Sequence, residues 1–148
     1  MNVSVTHLNP PEMHSNPAFS QAVVVEGNAR TIYVGGQNAV SPDGQVVGIG
    51  DLAAQTELVF ANLGTVLASA GADLHDVVRW TLYVVEGQDL RPGLAVFQKV
   101  WGDAPPPAIS MIQVAGLANP DFLLEIDAVA VVPAGGSDRA RGPAAGGA

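Results

Sequence analysis

The sequence predicts an α+β domain, a mixed β-sheet with two helices on one of its faces. Three observations carry that expectation. Short β-branched runs occupy both ends of the chain, two central segments switch to apolar residues at helical spacing, and turn residues punctuate the joins. The resulting order is a hairpin region, a helix, a strand, a second helix and two closing strands.

Val3 to His7 reads as a short first strand, and Asn9 to Pro17, with its three prolines, as an irregular loop. Ala22 to Glu26 and Thr31 to Gly35 are strand-like, and the Gly27-Asn28 pair between them suits a hairpin turn. Ser41-Pro42-Asp43-Gly44 is a second turn, with proline set for its first corner and glycine for its last. A brief edge at Val46 and Val47 follows. Asp51 can cap the first helix, on which Leu52, Val59, Leu63, Val66, Leu67 and Ala70 recur before Gly71 stops it. Val77 to Val85 is the strongest strand. Asp89 to Trp101 reads as the second helix, with Pro92 tolerated in its first turn and Leu90, Leu94, Phe97, Val100 and Trp101 on one stripe. Pro105 to Pro107 end it, and Ile109 to Val114 and Leu123 to Val132 close the sheet. From Ala134 onward no large apolar side chain occurs, so the expected division is a folded domain over 1–133 and a flexible Gly/Ala/Pro-rich tail over 134–148.

Composition narrows the function classes. Of 148 residues 48% are hydrophobic and only 14% charged, too few charges to cover a monomer's surface generously, which points to a large buried interface. Six basic against fourteen acidic residues give a net charge of −8, and Lys99 is the only lysine, so nucleic acid is not an expected partner. The absence of cysteine excludes disulfides, thiolate metal sites and cysteine nucleophiles. No apolar run reaches the length of a membrane span and no secretory n-region opens the chain, so a cytoplasmic protein without membrane contact is expected. Val77-Val78, Leu82 to Val85 and Ala128 to Val132 lack polar alternation, and two helices cover only one sheet face. The second face calls for another copy of the chain, and ligand sites commonly form where such surfaces meet.

Glu125 is the most informative residue. It interrupts an apolar strand two positions before Asp127, which reads as structural, and a carboxylate there is either an exposed residue at the strand's start or a functional group. Gly35-Gly36-Gln37-Asn38 directly follows a strand. It is a tight turn with polar neighbours, or a loop whose backbone approaches a ligand closely. His7, His14 and His75 are scattered without metal-ligand spacing, and no metal or cofactor is implied. Of the three, His14 stands out because its loop leads into Pro17 to Gln21. Arg79 is a solvated edge residue or a buried anion anchor, the former being the simpler reading.

Together these segments resemble the RidA/YjgF family of reactive-intermediate (enamine/imine) deaminases. The matching pieces are Phe19-Ser20-Gln21-Ala22-Val23, Gly36-Gln37, Gly50 to Thr56, Asn62-Leu63 through Ala70-Gly71, Asp76 to Val78, Pro107-Ala108 and Glu125 to Val131. They fall in order over residues 17 to 133. The resemblance implies a chorismate-mutase-like fold and a homotrimer, assembled through the helix-free face, with three clefts between subunits. It also implies hydrolysis of 2-imino acids, released as enamines by pyridoxal-phosphate enzymes, to 2-keto acids and ammonia. Glu125 falls on the water-positioning glutamate, a general acid/base. Phe19 takes the place of the usual tyrosine, and Gly36 matches the loop glycine.

The arginine that clamps the substrate carboxylate is missing. It follows Pro-Ala in the family pattern, where this chain has Pro107-Ala108-Ile109-Ser110. Met111 stands where a cysteine is usual, and Leu94 where a helical asparagine is. Losing a bidentate, charge-assisted contact argues against ordinary 2-imino acid deamination. One expectation is therefore a deaminase-like hydrolase for a less anionic imine, enamine or related metabolite, with His14, Gln37, Asn38 or Trp101 supplying new contacts. The other is a regulatory or ligand-binding trimer without turnover.

Overall fold

The computed structural model describes residues 2–135. Eight main elements follow in order: β1 (Ser4–Leu8), β2 (Ala22–Glu26), β3 (Ala29–Gln37), α1 (Leu52–Ser69), β4 (Val77–Val85), α2 (Arg91–Trp101), β5 (Ala108–Val114) and β6 (Leu124–Pro133), with a 3-10 turn at Leu74–Asp76. The two helices pack on a mixed four-stranded sheet of order β3-β6-β4-β5, the α+β arrangement expected from the sequence. β6 is antiparallel to both β3 and β4, while β4 and β5 are parallel. That parallel pair needs a crossover, and α2 supplies it. The predicted tail lies, from residue 136 on, outside the described residues.

One local expectation changes. β2 pairs with β1 in a separate two-stranded sheet and does not form a hairpin with β3. A type I′ hairpin turn needs positive φ at both central residues. Gly27 has φ 103° and no described residue other than glycine adopts positive φ, so Gly27-Asn28 does not form a type I′ turn. Gly27 serves a close crossing instead, since a Cβ there would stand 2.5 Å from the Asn2 carbonyl oxygen.

α1 begins where expected, with the Asp51 carboxylate accepting the Ala54 N–H at 3.0 Å. Its inner stripe holds Leu52, Val59, Phe60, Leu63 and Leu67, while Val66 is turned toward solvent. Phe60 meets Trp80 of β4 edge to face at 5.6 Å, and Phe97 of α2 stacks on Trp101 at 6.2 Å. Alternation along β6 sets the sheet's two faces. Leu124, Ile126, Ala128 and Ala130 are buried under the helices, whereas Glu125, Asp127 and Val129 lie on the other side and are half-buried. Register puts Arg79, Thr81 and Tyr83 of β4 beside Val129, Asp127 and Glu125. With Tyr33 82% exposed, the helix-free face is a mixed aromatic and polar surface. It is less uniformly apolar than the strand sequences suggest, because the polar residues of β4 and β6 fall on the same side.

Candidate functional site

Glu125 and Gly36 meet on the helix-free face. β3 bulges between Val34 and Gln37, which brings Gly36 under the Glu125 side chain. A Cβ at Gly36 would stand 2.6 Å from Glu125 Cδ and 2.9 Å from its Cγ and Oε2, so only glycine lets the carboxylate lie there undisturbed. Glu125 is half-buried and engages no hydrogen bond or ion pair among the described residues. Its acceptor capacity is unused.

Three amide side chains fix the backbone on which this pair sits. Asn38 Nδ2 donates to the Leu124 carbonyl at 3.2 Å, joining the end of β3 to the start of β6. Asn62 of α1 donates to the carbonyls of Asn38 and Val40, both at 3.1 Å. Gln55, fully buried on the same helix, donates to the carbonyls of Gly48 and Asp121 and accepts the Leu123 N–H at 2.9 Å. Sequence reasoning assigned none of this to Gln55 or Asn62. A polar residue on an amphipathic helix reads as solvent-facing, and only the loops packed across α1 reveal otherwise.

A second feature lies on the opposite side of the sheet. An apolar cavity of about 200 Å³ opens between the helices and the strands. Leu52, Thr56 and Phe60 of α1 line it with Leu82, Val84 and Leu124 of the sheet. Leu90, Gly93, Leu94 and Phe97 close it from the α2 side, and Ile109, Met111, Ala18 and Phe19 complete the wall. The Thr56 hydroxyl is committed to the Leu52 carbonyl at 2.6 Å. Among the described residues no charged side chain lines the cavity.

The residues singled out from sequence thus divide into groups. Phe19, Ile109 and Met111 converge on the cavity, together with Leu94, and the His14 ring stands edge-on to Phe19 at 6.2 Å. Glu125 and Gly36 converge on the other face. Gln37 turns back on Gly35, its Nε2 donating to that carbonyl at 3.1 Å, and Asn38 is spent on Leu124. Trp101 is a core residue: its indole N–H donates to the Ala104 carbonyl at 2.9 Å, its own carbonyl pairs with His75 Nε2, and it does not line the cavity. Arg79 is exposed and donates to Ser110 Oγ at 3.3 Å, the solvated role expected of it.

The chain matches the family described as Endoribonuclease L-PSP over residues 11–132. It belongs to that family. The resemblance to RidA/YjgF proteins seen in the sequence is this same membership. A RutC family protein of Synechocystis is 34% identical over 116 residues, covering 78% of this chain and 86% of that one. A 2-iminobutanoate/2-iminopropanoate deaminase of Rattus norvegicus is 34% identical over 114 residues, covering 77% and 80%. Among solved structures, the Rid family protein YyfB of Yersinia pestis, itself of unknown function, superposes with a TM-score of 0.77 at 39% identity, over 89% of this chain and all of that one. The relatives therefore include named deaminases as well as family proteins with no assigned reaction. Among the described residues no helix of this L-PSP family member is long and apolar enough to cross a membrane.

Proposed function

We propose that this protein is a homotrimer that acts on a small imine- or enamine-like metabolite in clefts between subunits, with Glu125 positioning and deprotonating water. The carrying observation is the unpaired Glu125 carboxylate lying over Gly36. A half-buried carboxylate with free lone pairs is suited to hold a water against an electrophilic C=N carbon and to take its proton. The named deaminases among the relatives support this class of reaction.

The two groups of residues also bear on assembly. Ile109 pairs in register with Trp80 on the helix side, while Glu125 lies on the helix-free side. A single copy keeps them on opposite faces of one sheet. A cleft that uses both draws the carboxylate from one copy and the apolar wall from its neighbour. Ordinary 2-imino acids are poor candidates, because Ile109 offers nothing to a carboxylate.

The test is ammonia release from freshly generated imines, comparing the wild type with Glu125→Gln. Turnover that the substitution abolishes, with assembly intact, supports the reading; turnover that survives it rules out the role of Glu125. A second reading, a ligand-binding trimer without turnover, draws on the same carboxylate making no hydrogen bond or ion pair among the described residues. Metabolites that raise the melting temperature without being consumed favour that reading.

A further inference from the structure

The cavity under the helices carries chemical information that Glu125 does not. We propose that it receives an uncharged apolar group the size of one aromatic ring, and that the molecule this protein handles presents such a ring, not a carboxylate, to Ile109. The link to catalysis rests on the proposed cleft, while binding to the cavity stands by itself.

Size and lining lead to the same ligand. An apolar cavity of about 150 Å³ lined by Leu, Ile and Phe stays dry and takes up benzene. This one, at about 200 Å³, has room for a benzene ring with a further carbon or two. Phe60 and Phe97 offer ring faces and edges, and the Met111 thioether suits an aromatic neighbour. The hydroxyl of Thr56 already donates to Leu52, and among the described residues no cationic side chain lines the cavity to receive an anion. A carboxylate taken into this lining would lose its hydration without compensation, which excludes it far more strongly than the ring's own burial favours it. Leu94 and Met111 remain 44% and 46% exposed at the open side, so any polar end of the ligand projects outward past them.

Toluene and benzoate are probes of matched shape and different charge. With the full chain, titration calorimetry and ligand-observed NMR should show toluene binding and benzoate binding at least about tenfold weaker. Ile109→Trp should fill the cavity and remove toluene binding, and Met111→Trp, at a more exposed position, gives the same reading if the first variant does not fold. Ile109→Arg should reverse the preference. The proposal is overturned if wild type binds both probes equally, if toluene binds undiminished in both filled variants, or if toluene does not bind because a neighbouring copy occupies the cavity. Glu125→Gln separates the two claims. If it retains both turnover and toluene binding, the catalytic reading fails and the cavity assignment stands. Glu125-dependent turnover in a wild type that does not bind toluene refutes the cavity alone.

Discussion

Gly36 and Glu125 form a contact in which one residue's smallness defines the other's position. The Gly36 backbone does not adopt positive φ, so alanine there is not strained by its own conformation. The added methyl would instead fall 2.6 Å from Glu125 Cδ and push a flexible carboxylate aside. Gly36→Ala should therefore leave the melting temperature within a few degrees of wild type while removing Glu125-dependent turnover. Unchanged turnover in that variant would show that the side chain's present location is immaterial to the reaction. Glu125 and Gly36 were both legible in the sequence, the first as a charge against an apolar pattern and the second as a family match. Their contact was not, because a bulge in β3 decides it, and although Gly35-Gly36 suits a bulge, nothing in the local residue pattern says which side chain that bulge meets. Trp101 differs from its expected place for a related reason: a large aromatic at a helix end suits a cleft wall as well as a core, and its near-complete burial beside Trp80 and Phe97 puts it in the core of this chain.

Among the elements, α1 does more than cover the sheet. Gln55 makes three hydrogen bonds to backbone that surrounds the start of β6. Gln55→Leu would leave one buried N–H and two carbonyls without their partner, at a cost of about 1–3 kcal/mol for each group that water cannot reach. Urea denaturation should register a loss of about 3 kcal/mol, and a loss below about 1 kcal/mol would mean that the loops re-form their bonds elsewhere. At the other helix, Asp89 chelates the Arg91 guanidinium and accepts its backbone N–H, and these bonds lower the Asp89 carboxyl from 3.8 to about 2. Between those values the unfolded chain binds the proton more readily than the folded one. This contribution is therefore complete above about pH 4 and is lost as the pH falls toward about 2. Both side chains are well exposed, so the effect is small. NMR titration should find Asp89 protonating well below the usual carboxylate range, and Asp89→Asn should flatten the acid limb of the stability curve. The helices and strands themselves are legible from periodicity and turns; the pairing of β2 with β1 is not, since Gly27-Asn28 suits a hairpin turn and a strand's own residues do not name its partner.

For the whole molecule, the decisive fact is that the sheet separates Glu125 from Ile109. If a cleft joins them across two copies, variants disabled in different halves should complement each other. Glu125→Gln and Ile109→Trp chains, each inactive alone, should regain about a quarter of wild-type activity when co-expressed in equal amounts, the share of clefts that pair two intact halves in a cyclic assembly. No recovery would place both residues' roles within one copy or in separate sites. Assembly through the helix-free face also predicts that Tyr33→Asp, at an 82% exposed aromatic side chain of that face, shifts sedimentation toward monomer.

The strand order carries a further consequence for how the protein is made. Among the described residues β6 is the last strand, and it sits between β3 and β4. While the polypeptide is being synthesised, those two strands lack their shared neighbour until residues 124–133 have emerged. Until then the β3 and β4 edges present unpaired backbone groups, a condition that invites chaperone capture and aggregation. A chain cut short at Asn119 should be insoluble even though it contains both helices, and supplying residues 120–135 as a peptide should recover folded material. Glu125 lies on that same strand, so the residue proposed to do the chemistry reaches its place only in the step that completes the sheet.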